Sequence, residues 1–235
     1  KDKKYGFFHS QNTFFDEVAN ELGMVDSNAE YMRHPLAYLV EAADDICYTL
    51  IDFEDGINLG WISEEYALEF LIRLVKDSID TKKYNSLKHK TDRVAYLRAL
   101  SVNTLINDTV KIFLANEEKI LNGQFTKTLL SESVFKAQMK DIIDISVRKV
   151  YNSKEVIEKE LKGYQVIHKL LSVFIKAAVN NQSDNTTALD DLVLSSLPQA
   201  YIHKDGNLYD QLLDISCFVA SLTDGNALEW YNKIS

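Results

Sequence analysis

Two prolines and eight glycines in 235 residues leave the backbone few places to break, because these are the residue types that most weaken a helix interior. Leu, Lys, Glu and Ala, all good helix formers, are plentiful, and the expected fold class is all-α. Apolar residues at three- and four-residue spacing predict amphipathic helices over residues 10–22, 35–55, 63–76, 91–121, 131–150, 154–179 and 207–222, then a short tail helix. Polar punctuation separates them: 77–90 is charged and unpatterned, 122–128 carries a glycine, and 180–187 is rich in Asn, Ser and Thr. None of these is long enough to mark an interdomain linker, so residues 1–235 read as a single helical domain or part of one. No internal repeat or sustained heptad is present, which removes solenoids and long coiled coils.

The net charge of −9 excludes a general phosphate-backbone binder, since such affinity comes from neutralising phosphates with Lys and Arg. A small polyanion could still bind locally, through a cation and a few lysines. Apolar clusters such as that around Leu171 and Phe174 fall short of the roughly 18 to 20 residues that span a bilayer. Lys1-Asp2-Lys3-Lys4 is not followed by the apolar run of a signal peptide, and a cytoplasmic protein is expected. Cys47 and Cys217 sit in apolar, helical contexts, where a thiol is expected to behave as a small hydrophobe.

The stretch from Arg33 to Gly56 is the informative one. Pro35 suits the first turn of a helix and Gly56 its end, so one continuous helix is expected. Leu36, Leu39, Val40, Ala43, Cys47 and Leu50 recur at helical spacing and are expected to form its buried stripe. Asp44, Tyr48 and Asp52 are successive i+4 neighbours, each displaced by about 40° around the axis, so all three project from one side beside that stripe. Spacing alone leaves two readings open: a solvated acidic face, or carboxylates that need a cation or hydrogen bonds to offset partial desolvation.

The string Arg33-His34-Pro35-Leu36-Ala37-Tyr38-Leu39-Val40-Glu41-Ala42-Ala43-Asp44-Asp45-Ile46-Cys47-Tyr48 resembles the signature of the bacterial deoxyguanosine triphosphate triphosphohydrolases of the HD superfamily. Further segments share the resemblance: Lys4 to Ser10, Arg93 to Ala99, Val150 to Val156, Glu160 to Tyr164, and Val219 to Asp224. In the last of these, Ser221 and Leu222 stand where the family has Gly and Met. The resemblance implies a multi-helix phosphohydrolase fold and its C-terminal portion.

It further implies that Asp44 is one carboxylate of a His, His-Asp, Asp site for a divalent metal, Mg²⁺ or Mn²⁺, both hard ions suited to oxygen ligands. Tyr48 and Asp52 would contact the deoxyribose and its 3′-hydroxyl, Lys4 the triphosphate, and Arg98, with Arg93 second, another phosphate. No His-Asp dipeptide occurs in the sequence, and His34 is expected to cap or pack. The catalytic residues and remaining ligands are therefore expected in an N-terminal part of the same protein, with this chain inactive alone. The expected substrate is dGTP or another dNTP, and the expected assembly a homo-oligomer, hexameric by resemblance. Single-stranded DNA enters only as a regulator, because no basic, aromatic-lined groove is evident. Two alternatives stand beside this: the same chemistry on another nucleotide, and a non-catalytic helical module that binds a nucleotide or partner.

Overall fold

The computed structural model describes residues 6–26, 28–183, 185–201 and 207–234. All regular elements among them are helical, and the single β-type pairing is an isolated bridge between Val25 and Tyr31. The all-α expectation holds. The chain gathers into two compact units, 1–153 and 154–235, a division that the sequence, lacking a long linker, did not suggest.

In the first unit, α1 is Asn12–Glu21, α2 Pro35–Asn58, α3 Glu64–Val75, α4 Thr81–Ser86, α5 Lys90–Ala115, α6 Glu117–Leu121 and α7 Lys136–Ser146. Helix α7 runs on into a π-helical turn, Val147–Tyr151. Helix α2 begins as its residues dictate. Pro35 occupies the first turn, where its missing N–H costs nothing, and His34 is the N-cap, its Nδ1 accepting from Leu36 N–H at 3.2 Å.

The end of α2 differs from the expectation. Gly56 lies inside the last turn, and termination falls to Gly60, whose φ of +79° is the left-handed conformation that glycine adopts most readily. Trp61 N–H donates to Gly56 C=O at 2.9 Å and Gly60 N–H to Ile57 C=O at 3.1 Å, the paired bonds of a Schellman ending. Gly56 serves packing instead. A Cβ there would stand 2.6 Å from Val150 Cγ2 and 2.8 Å from Ile62 Cδ1.

The buried face of α2 is Tyr38, Ala42, Ile46, Leu50, Phe53 and Ile57. Its lower part joins Leu71, Leu74, Leu97, Leu105, Ile142 and Ile145, from α3, α5 and α7, in the main core. Its upper part, Tyr38 and Ala42, packs with Ile120, Phe125 and Leu129 in a smaller cluster. The stripe expected from the sequence is therefore rotated: of its six members only Leu50 is fully buried, while Leu36, Val40, Ala43 and Cys47 are exposed. Helix α2 carries apolar residues on two adjoining stripes, and α3, α5 and α7 cover only one. Cys47 follows its stripe to the surface, and Cys217 is exposed as well.

Two further differences are local. The 77–90 segment contains α4, capped by Asp80, whose carboxylate accepts from Lys82 and Lys83 N–H. The expected 91–121 helix divides at Asn116 into α5 and α6.

In the second unit, α8 is Lys154–Gln182, α9 Ala188–Ser195, α10 Leu208–Ser221 and α11 Asp224–Ile234. Their core holds Val166, Leu170, Phe174, Ile215 and Phe218, with Phe174, Phe218 and Trp230 in mutual edge-to-face contact at centroid distances of 5.3 to 5.8 Å. Helix α9 has a capping box in which Thr187 and Asp190 each satisfy the other's backbone N–H. Among the described residues no helix is long and apolar enough to cross a membrane.

Gly56→Ala forces a methyl against the stiff, β-branched Val150 and is expected to cost about 1–3 kcal/mol. A urea midpoint equal to that of the parent would show that this contact yields freely.

Candidate functional site

Two of the three residues in the row predicted on α2, Asp44 and Tyr48, line a cleft of about 360 Å³ together with Asp45 and Thr49 from α2 and Ile143, Ser146 and Tyr151 from α7 and its π turn; Asp52 does not line it. Because α2 turns its apolar arc toward the core, the adjoining arc that bears Asp44 and Tyr48 faces outward along the cleft wall. Tyr48 is 63% exposed, a ring presented to solvent and not packed into the core.

Asp52, one turn beyond Tyr48, is half-buried and accepts a hydrogen bond from the Tyr151 hydroxyl. Burial, then the bond to Asp52 and the nearby negative charge, push the Tyr151 hydroxyl well above the usual tyrosine range, so the phenol keeps its proton. Ser146, on the same wall, is buried, and its Oγ has no hydrogen-bond partner. Sequence reasoning assigned no role to Tyr151 or Ser146. The available signal for Tyr151 was its place within one of the segments that carry the family resemblance, Val150 to Val156.

The other predicted residues lie elsewhere. Arg98 does not line the cleft; its Nε is 2.6 Å from Glu54 Oε2, and the carboxylate side chain is mostly buried. Arg93 pairs with Glu64 at 3.1 Å and also reaches the backbone carbonyls of Leu87 and Lys88. Lys4 falls outside the described residues. Arg33 forms a 2.6 Å ion pair with the nearly buried Glu41, and its guanidinium stands 4.2 Å from the Tyr38 ring centroid, anchoring the chain at the start of α2.

Asp44 and Asp45 supply hard oxygen donors of the kind that Mg²⁺ and Mn²⁺ take. Among the described residues, however, no group of three or more His, Cys, Asp or Glu is placed to hold a metal ion. Asp44 and Asp45 offer oxygen donors at the cleft wall, and the described residues by themselves do not complete a metal site.

The regular elements among the described residues are helical, and similarity to known proteins gives the relatives. No family model matches the chain. It is 31% identical over 99% of its length to a deoxyguanosinetriphosphate triphosphohydrolase-like protein of Synechocystis sp., and 30% identical over 100% to one of Pseudomonas aeruginosa. It is 26% identical over 99% of its length to the deoxyguanosinetriphosphate triphosphohydrolase of Cronobacter sakazakii. The chain covers 52 to 54% of these proteins, so it spans about half the length of the curated relatives it matches. It is a homologue of the dGTP triphosphohydrolases and their like, whose names point to the HD-type phosphohydrolases, and is consistent with a C-terminal portion of one.

The raised Tyr151 hydroxyl makes a pH prediction. The fold favours the protonated phenol, so the stabilisation is complete below the unfolded value of about 10 and is lost as pH rises above it. The stability difference between the parent and Tyr151→Phe is expected to hold up to about pH 10 and to narrow progressively as pH rises beyond it in denaturant titrations. A difference independent of pH would deny that burial and the Asp52 carboxylate together hold the phenol protonated.

Proposed function

We propose that the intact protein hydrolyses dNTPs, dGTP foremost, to deoxynucleoside and triphosphate, and that this chain supplies one metal ligand and the sugar-binding wall. The observation that carries the reading is the alignment of Asp44, Tyr48 and Asp52 along one side of α2, beside a cleft walled by α7, in a chain similar throughout its length to proteins named for that activity.

In this reading Asp44 holds part of the coordination shell of a divalent ion, Mg²⁺ or Mn²⁺, which when bound supplies Lewis-acid polarisation of the phosphoryl oxygens. The exposed Tyr48 ring packs on the deoxyribose and leaves no room for a 2′-hydroxyl. Asp52 serves as acceptor at the 3′-hydroxyl end. Lys4 and Arg98 are the phosphate contacts that the family resemblance implies, Arg98 only if its pairing with Glu54 opens. The remaining ligands and the acid for the leaving group come from residues outside this chain, which alone is inactive. A cytoplasmic homo-oligomer, hexameric by resemblance, completes the proposal.

Triphosphate release measured across a panel of dNTPs and rNTPs tests the substrate class. Turnover of dGTP that is abolished by chelation and restored by Mg²⁺ or Mn²⁺ supports the reading; uniform inactivity of the intact protein with both metals sinks it. Asp44→Ala should lower turnover by at least about a hundredfold with an unchanged circular-dichroism melt, and near-normal activity would refute the ligand assignment. Asp52→Ala should weaken preference for a substrate bearing a 3′-hydroxyl over its 2′,3′-dideoxy analogue by roughly tenfold; an unchanged preference removes that role.

A further inference from the structure

We propose that the N-terminal half of α8 is an interface with a second copy of this chain, in which the two α8 helices lie antiparallel across a two-fold axis beside Tyr164. This assigns a surface and a direction to the homo-oligomer proposed above, and it is independent of the hydrolase reading.

The first observation is an open apolar stripe. Helix α8 has 29 residues, whereas α9, α10 and α11, which pack against it, have 8, 14 and 11. One face of α8, with Val166, Leu170, Phe174 and Ala177, is buried in the core of the second unit. Ile157, Leu161, Tyr164, His168, Leu171 and Ile175 follow one another at alternating four- and three-residue steps. At about 100° per residue all six fall within an arc of about 80°, turned away from that core face. Leu171 and Ile175 are partly buried against the core, whereas Ile157, Leu161 and Tyr164 are 42, 59 and 78% exposed. The open stretch from Ile157 to His168 runs about 18 Å. That is too short for a long coiled coil, but its spacing is that of the seam along which two helices pair.

The second observation is the charge on the edges of the stripe, which selects the occupant. Glu158 and Lys169 lie on one edge, about 100° and 120° round from Ile157, at opposite ends of the open stretch. Glu160 lies on the other edge, about 60° round. In a parallel pair unlike edges meet, and Glu158 would stand level with Glu160 of the other copy, a repulsive arrangement. In an antiparallel pair like edges meet and the ends exchange. Leu161 of each copy then meets Tyr164 of the other next to the axis, Ile157 meets His168, and Glu158 comes within a turn of Lys169, twice over by symmetry. Such self-complementarity is what an isologous contact requires, and it singles out a second copy over an unrelated partner.

The charged groups permit this exchange. Glu158 contacts Lys154 at 3.7 Å within its own helix, but both side chains are exposed, and a pairing of that kind is weak. Lys162 is turned to another side of the helix, its Nζ 4.4 Å from the Tyr231 ring centroid on α11, and stays out of the seam.

Sedimentation velocity of the intact protein over a range of concentrations tests the interface. Leu161→Asp, a change at an exposed position, is expected to weaken association by at least about a hundredfold and to bring the assembled mass to about half, with an unchanged circular-dichroism spectrum. Glu158→Lys and Lys169→Glu are each expected to weaken association roughly fivefold, and the two together to restore it. Tighter association of Glu158→Lys means a parallel pair and overturns the proposal, and so do charge variants that all associate like the parent. Should Leu161→Asp fail to fold, the charge reversals at these exposed positions carry the test. An assembled mass that Leu161→Asp leaves unchanged, with or without a lower melting temperature, overturns this surface and leaves the homo-oligomer reading standing. A parent that is monomeric at every concentration overturns both.

Discussion

The rotation of α2 about its own axis decides everything else in the first unit. Tyr38, Ala42, Ile46, Leu50, Phe53 and Ile57 turn inward, and once they do, the positions of the remaining residues follow from about 100° per residue. Asp44, Tyr48 and Asp52 then occupy consecutive 40° steps along an outer flank, which is where the cleft lies. Gly56 permits this at the helix end, because only a residue without a side chain lets Val150 and Ile62 approach its Cα so closely. Val150 belongs to the π turn that carries Tyr151. The packing of α2 and the delivery of Tyr151 are thus two results of one close contact.

Much of this was legible in the residues. Pro35 announced the start of α2, and His34 caps it as expected. The spacing of Asp44, Tyr48 and Asp52 placed them on one side regardless of how the helix was oriented. What the pattern could not settle was which apolar stripe faces inward. Apolar residues on α2 extend from Tyr38 through Leu50 to Val40 and Ile51, an arc of more than half the circumference, where a one-sided helix would show a stripe of about 100° or a little more. Periodicity has no preference within so broad an arc; the choice lies with α3, α5 and α7, which are distant in sequence. The short α4 and α9 escaped for another reason. They hold six and eight residues, too few for a repeating apolar pattern, and are marked chiefly by the caps at Asp80 and Thr187.

The placement of Tyr151 was illegible for a related cause. A five-residue offset between Ser146 and Tyr151 reads as opposite-facing under the α-helical period, so sequence periodicity separates residues that the π turn brings to one cleft. Irregular winding of this kind recurs at functional sites because it aims side chains that a regular helix would turn away.

Electrostatics give the strongest physical constraint on how such a chain could meet a triphosphate. Its net charge is −9, and the cleft wall itself carries Asp44 and Asp45, with Asp52 behind Tyr151. The two arginines that the sequence offered for phosphate are committed to Glu54 and Glu64, at 2.6 and 3.1 Å. Releasing Arg98 would leave Glu54, whose side chain is 16% exposed, without its partner, and an uncompensated, largely buried carboxylate is costly. A polyanion entering beside these carboxylates therefore needs positive charge from elsewhere, and the least expensive source is a cation that the carboxylates themselves attract. The acidic flank of α2, a liability for direct phosphate binding, becomes favourable once a divalent ion sits between the two negative partners. This is the physical ground for preferring the metal-dependent reading over one in which the chain grips phosphate with its own arginines.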